Sequence, residues 1–409
     1  MMRRGILLIL ALALLFQAGA LADGGNRLGA KALHLLYDGQ NNCFLSPVSL
    51  QFALWLVADG AEGETRDEIL SALKTQKDAP SLMQALRRSG LRMANAAFAS
   101  DRIRLKDSYL QLICQRFEAE IFPLNDGGRV NRWVREQTDG LIDDLPLTDP
   151  SQTALILINA VAMDARWEEP FDPAFTRPMP FQTPAGETQV PMLGAYLYTP
   201  YYAEADGLRF LRLNYRDSGL YMLLALPETA GDVSAVLAWL ESNDPGEIVY
   251  EPESAESIVN GIVQQNIDWG DPLSSEEIDW LYQWYDGSDP WEVSLRLPKL
   301  DVQCFCELTE ALKALGVKKA FTDEAELSGL SDTPLMLASV RQKLRVQVDE
   351  EGTRAAAVTW SDILATEPNP RYERVPVQFT CDSPFVMLIV DGDSGAICFA
   401  GVVANPAGE

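Results

Sequence analysis

The stretch from Asp349 to Phe379 constrains this chain more than any other, because it can settle neither into a helix nor into a central strand. Pro368, Pro370 and Pro376 have no backbone N–H to donate, which bars their neighbourhood from a regular ladder or a helix interior. A structureless segment this long inside a compact domain is either functional or disordered. Alternate residues of an extended chain face opposite sides, and parity separates the two readings. If Thr353 to Leu364 became a strand, one face would carry Thr353, Ala355, Ala357, Thr359, Ser361 and Ile363, all small or uncharged. The other would carry Arg354, Ala356, Val358, Trp360, Asp362 and Leu364, so both charges fall on one side. Gly352 supplies a hinge before it. The competing reading is an Ala-rich linker with accidental parity.

The 409 residues are long for one domain but compatible with a single large α+β unit. Hydrophobic residues at 47% and charged residues at 22% are ordinary globular values. The formal charge of −26 is not. A chain this acidic repels nucleic acid and anionic membranes, and no polyanionic cofactor is expected. Residues 1–22 read as an export signal: Arg3 and Arg4, an apolar run from Gly5 to Phe16, and Ala20-Leu21-Ala22 before Asp23, with cleavage after Ala22. The rival is an uncleaved anchor. The expectation is therefore a secreted, extracellular protein.

Six cysteines are too few for a disulfide scaffold at this length. Cys304 and Cys306 share one face of a strand, lack zinc spacing, and read with the others as buried free thiols, an isolated bridge being the alternative.

Ser46-Pro47 starts a helix that runs to Gly60, Ser46 as N-cap and Pro47 in the first turn. Thr65 is expected to cap a second helix to Leu73, and Ala30 to Tyr37 to form a short first one. Further helices are expected at 106–117, 131–140 and 307–315. Ala154 to Met163 is nearly all apolar, as a strand covered on both faces would be. Strands also read at 43–45, 93–99, 208–213, 221–226, 293–297, 344–348, 385–390 and 396–403. Helices and strands do not alternate regularly, so the expected class is α+β. Residues 244–291 look like an acidic insertion, with Trp269, Trp280, Tyr282, Trp284 and Tyr285 among carboxylates as a small aromatic cluster.

Catalytic machinery is missing. The only histidine is His34, and any Ser-His-Asp or Cys-His arrangement would have to use it. No glycine-rich phosphate loop, HExxH helix or CxxC pair occurs, so neither metal nor cofactor is expected. Paired carboxylates remain open as an acid and base, although nothing singles out a pair.

Motifs along the whole chain nevertheless point one way. Asn42 to Ser49, Gly60-Ala61, Gly63 and Thr65 are followed by Asn131, Trp133-Val134, Thr138, Gly140 and Ile142. Leu157-Ile158-Asn159-Ala160, Trp167, Pro170-Phe171, Thr176, Phe181 and Val190-Pro191-Met192 come next. Leu297-Pro298-Lys299, Leu315-Gly316, Ala320-Phe321, Leu327 to Leu330, Glu350 to Thr353, Pro384-Phe385 and Gly401 to Pro406 complete the series. In order and spacing this resembles the serpin family of protease inhibitors, in a secreted, bacterial-type form. The resemblance implies three β-sheets, roughly nine helices and an exposed reactive-centre loop, here about residues 350–378, in one domain spanning 23–409. It implies an inhibitor rather than an enzyme, monomeric, whose partner is a serine or cysteine protease. The protease attacks the loop and is trapped as the loop inserts into the main sheet.

By the same resemblance, Glu350, Glu351, Gly352, Thr353, Arg354, Ala355, Ala356 and Ala357 form the hinge, and Lys299 pairs with Glu350 beside Trp167. Ser46, Ser49 and Asn159 lie where the sheet opens. The family's usual histidine there is replaced by Gln342, whose amide both donates and accepts. The family's usual spacing from Glu350 puts the cut at Thr366–Glu367, suited to elastase-like or subtilisin-like enzymes. Arg371–Tyr372, suited to trypsin-like enzymes, is the runner-up, and Arg374–Val375 would suit them too. A non-inhibitory binding or structural protein on the same fold is the alternative.

Overall fold

The computed structural model describes residues 23–74, 78–124, 127–145, 153–285, 287, 290–353 and 370–408. The expected signal segment, hinge residues Arg354 to Ala357 and the bond Thr366–Glu367 lie outside them.

The fold is α+β, with ten α-helices among the described residues. Its largest sheet runs in the order Cys43–Leu45, Ile397–Val403, Phe385–Asp391, Leu220–Pro227, Leu208–Asn214, Tyr202–Ala205, each neighbour antiparallel. Its three central strands are buried at every position, which explains why they are apolar apart from Asp391 at one strand end. The helix Pro47–Ala58 packs against this sheet and is apolar all round, as a helix inside a core must be. Ser46 caps it with its hydroxyl, and Pro47 opens the first turn.

A second sheet has the order Val377–Thr380, Trp291–Pro298, Gly186–Thr199, Arg177–Thr183. The remaining strands form separate pieces. Glu120–Pro123, Arg92–Ala99 and Leu155–Ala162 make one, Leu300–Glu307 and Arg341–Val348 another, and Ala165–Arg166 pairs with Gly352–Thr353. Strand Leu155–Ala162 is covered on both faces. Leu155, Leu157 and Val161 pack on the main core, whereas Ile156, Ile158 and Ala160 meet Phe98, Trp133 and Val134, the last two from helix Gly127–Gln137.

Several boundaries differ from expectation. The first helix begins at Asp23. The second spans Gly63–Leu73 with Glu62 in the cap position, so Thr65 is not its cap. The Thr65 hydroxyl instead accepts the Glu326 N–H at 2.9 Å, a tertiary partner that local sequence does not announce. Helix Ala79–Arg88 and strand Gly186–Thr199 escaped the periodicity reading altogether.

The acidic stretch carries regular structure. It contains two helices, Ala255–Asp268 and Ser275–Trp284, each capped by a serine hydroxyl at Ser254 or Ser274. Their small core is mainly aliphatic, built on Ile258, Val259, Ile262 and Leu281, while Trp269, Trp280 and Trp284 are exposed. All six cysteines are free, and the Cys304 and Cys306 sulfurs stand 4.0 Å apart.

Candidate functional site

Two strands run the same way toward one end of the molecule without pairing with each other. Leu155–Ala162 pairs with Arg92–Ala99, and Arg341–Val348 with Leu300–Glu307. Between them lies a cleft of about 610 Å³, lined by both strands and floored by Ser49, Ala53, Leu54 and Val57 of the helix Pro47–Ala58. Among the described residues no strand pairs with either facing edge. Edges with unsatisfied backbone groups on both sides of a cleft form a template for one more strand.

At the upper end of the cleft the chain reverses. The Asp349 N–H donates to the Gly352 carbonyl at 3.1 Å, and the Asp349 carboxylate accepts the Glu351 and Gly352 N–H groups. This tight turn sends Gly352 and Thr353 back, antiparallel to Arg166 and Ala165. Gly352 is required there by close approach, because a Cβ would sit 2.3 Å from the Ala165 carbonyl oxygen.

Trp167 anchors the turn. Its indole N–H donates to the Asp349 carbonyl at 3.0 Å and its backbone N–H to the Glu351 carbonyl at 2.9 Å. Its ring stacks on Tyr215 at 4.7 Å and meets Phe171 edge-on. Lys299 Nζ lies 2.6 Å from Glu350 Oε2, and the Thr176 hydroxyl donates to Glu350 Oε1 at 2.9 Å. Burial pushes the Glu350 carboxyl up, but the hydrogen bonds from Lys299, its own backbone and Thr176 outweigh that and hold it below the ordinary glutamate value.

Lower in the cleft, Gln342 uses both ends of its amide on one residue. Its Oε1 accepts the Ser46 N–H and its Nε2 donates to the Ser46 carbonyl, both at 3.0 Å. The Ser46 hydroxyl donates to the Cys398 carbonyl at 2.6 Å, and the Ser49 hydroxyl to the Asn159 carbonyl at 3.3 Å. Asn159 Nδ2 donates to Asn95 Oδ1, and Asn95 in turn to the Phe117 carbonyl. Asn159 Oδ1 is buried with no partner among the described residues.

Ser46, Ser49, Asn159 and Gln342 are thus brought together, as are Trp167, Lys299, Glu350, Glu351 and Gly352. Arg371 and Tyr372 lie apart, in a short 3-10 turn against the helices of the acidic stretch. Asn95 and Tyr215 escaped the sequence reading, since neither sits in a motif that names it. His34, on the first helix, faces Glu241 at 2.5 Å and pairs with none of the described residues lining this cleft. The described residues hold no cluster of metal-ligating side chains.

Comparison with known proteins agrees with this geometry. The family model for Serpin (serine protease inhibitor) matches residues 23–258 and 269–406. The break at 259–268 falls in the first helix of the acidic stretch. Serpin-Z7 of Hordeum vulgare is 30% identical over 398 residues, covering 90% of this chain and 90% of its own. A thermophilic serpin, tengpin, solved in the native state, matches with a TM-score of 0.72 at 24% identity, covering 93% of each chain. Human thyroxine-binding globulin, complexed with thyroxine, matches at 0.69 and 22% identity, covering 94% of this chain and 99% of its own.

Proposed function

This chain belongs to the serpin family, and from that premise we propose that it is a secreted, monomeric inhibitor that traps serine proteases by inserting its loop into the cleft. Family members are in general protease inhibitors rather than enzymes. The observation that carries the proposal is the cleft, with two strand edges that no strand pairs among the described residues and the first two residues of a third strand, Gly352 and Thr353, set in antiparallel register at its mouth.

Continued without a slip, that register brings Ala355 opposite Met163, Ala357 opposite Val161, Thr359 opposite Asn159, Ser361 opposite Leu157 and Ile363 opposite Leu155. Residues directly opposite each other share a face of the sheet. Leu155, Leu157, Val161 and Met163 belong to the main core, so the small, uncharged set goes inward. Arg354 and Asp362 go to the other face. The parity read from the sequence is the one that the Gly352 and Thr353 register would give if it continued, which supports the reading.

In the proposed reaction the protease serine oxygen attacks the Thr366 carbonyl carbon. The Thr366–Glu367 amide breaks, the Glu367 nitrogen leaves as a new amine carrying the proton, and Thr366 remains as an ester on the protease. Insertion then competes with hydrolysis of that ester. Some fifteen residues at about 3.3 Å each move the attached protease on the order of 50 Å. New ladder bonds on two edges drive the movement, so the uncut state is held by a barrier rather than at its minimum. Export rests on the segment 1–22, read from its sequence.

The test is to mix the protein with elastase or subtilisin, dilute, and follow residual activity. Loss that persists on dilution supports the proposal; full return of activity defeats it. A binding protein that never inserts its loop is the second reading, supported by the fold likeness to thyroxine-binding globulin. The uncharged inward parity of the hinge weighs against it.

A further inference from the structure

We propose that the two helices Ala255–Asp268 and Ser275–Trp284 are a clamp on the C-terminal stem of the reactive loop, closing the bonds after Arg371 and Arg374 to trypsin-like proteases. The inference rests on reading residues 350–378 as the loop a protease attacks.

The contacts on the stem come from both helices, the turn between them and the residues on either side. Asn266, fully buried, donates from Nδ2 to the Arg371 carbonyl at 2.7 Å, and from the same amide to Ile262 of its own helix. The Arg371 guanidinium lies 3.3 Å from Asp271 and 3.6 Å from Glu277, and donates to the Pro272 carbonyl. The Tyr372 hydroxyl donates to Glu277 Oε1 at 2.8 Å while its ring meets Trp280 edge-on at 5.5 Å. Three residues on, the buried Arg374 side chain is held by Glu253, by Glu292 at 3.6 Å and by the Pro290 carbonyl at 3.0 Å. Gly261 faces Val375, so the first helix rests directly on the stem.

A trypsin-like enzyme must take the arginine side chain into an anionic pocket and draw the scissile carbonyl into its own hydrogen bonds. At Arg371 both are occupied, the side chain by Asp271 and Glu277 and the carbonyl by Asn266. At Arg374 the side chain is buried between two glutamates. Cleavage at either bond therefore requires the stem to open locally. Thr366–Glu367 precedes Pro370 in the sequence and lies outside the described residues. The clamp thereby narrows a loop rich in arginine to targets with small or medium pockets. Its residues determine specificity by holding the Arg371 and Arg374 side chains and the Arg371 carbonyl away from a protease. Glu277 serves twice, since it also closes the capping box with Ser274 and so ties the helix end to the stem.

The experiment is timed trypsin digestion of the full chain with mass analysis, against a peptide of residues 366–378 as the unclamped reference. Cleavage after Arg371 and Arg374 should be slower by about 100-fold or more in the folded protein. Asn266→Ala with Glu277→Gln should restore cleavage after Arg371 by about tenfold or more, while Glu276→Gln on the same helix should not. A wild-type rate equal to that of the peptide overturns the clamp, and this comparison stands even if the double variant fails to fold. The two proposals fail separately. Rapid cutting after Arg371 with elastase trapping intact removes only the clamp, whereas slow cutting with no trapping of any protease leaves it in place.

Discussion

Gly352 lies directly opposite Arg166 in an antiparallel pair, with the Ala165 carbonyl oxygen where a Cβ on Gly352 would have to go. Gly352→Ala should therefore force the turn apart from Ala165, and overpacking of this kind costs about 1–3 kcal/mol. The variant should melt at a lower temperature than the parent. An unchanged melting temperature would mean that the pairing at the cleft mouth is not part of the stable fold.

The register also sets an address for every inserted residue. Ser361 should arrive opposite Leu157, with Cα atoms about 4.5–5.5 Å apart, within reach of a disulfide. In a Leu157→Cys, Ser361→Cys variant, mild oxidation should crosslink these two positions in the loop-cleaved form and not in the intact one. Peptide mapping by mass separates that bond from any made by the native thiols. A crosslink found equally in intact protein, or absent from both, would contradict insertion in this register.

Gln342 binds both backbone groups of Ser46 and joins a strand that flanks the cleft to the cap of the helix beneath it. Gln342→Ala takes the partner from the buried Ser46 N–H, at about 1–3 kcal/mol, while the Ser46 carbonyl keeps the Leu50 N–H. Thermal melting of the intact protein should fall, and the cleaved form should be affected less because the inserted strand supports the same region. Equal losses in both forms would make Gln342 an ordinary packing residue.

The Lys299–Glu350 pair gives the hinge a pH dependence whose sign is fixed. Glu350 has its folded value held below its ordinary 4.5, so its contribution is fully present above that value and is lost as pH falls through the lowered one. Comparing wild type with Glu350→Gln isolates it. The stability difference between them should shrink as pH drops below about 4.5, and a constant difference would show that the ion pair adds nothing.

Legibility in the sequence followed how local each signal is. The strand Leu155–Ala162 and the cap at Ser46 rest on neighbours in sequence and are legible directly, whereas the parity of Thr353 to Ile363, though equally local, falls almost wholly outside the described residues. Thr65 mimics a cap locally, but its partner, Glu326, lies far along the chain. The helices at 255–268 and 275–284 carried usable serine caps, yet acids and aromatics masked a modest apolar stripe. Their grip on Arg371 and Arg374 depends on tertiary packing alone. So does the Asn95 to Asn159 link, which exists only because two strands pair in register.

The central claim is that cleavage and insertion trap the protease covalently, and a denaturing gel with intact-mass measurement tests it most directly. Incubation with elastase or subtilisin should give a band that survives denaturation, with the mass of protease plus the chain cut at Thr366–Glu367. Thr353→Arg, which puts an unpaired charge on the inward face, should shift the outcome to simple cleavage without that band. A wild-type protein turned over at its loop with no covalent complex, or a Thr353→Arg variant that traps as well as wild type, would contradict the account.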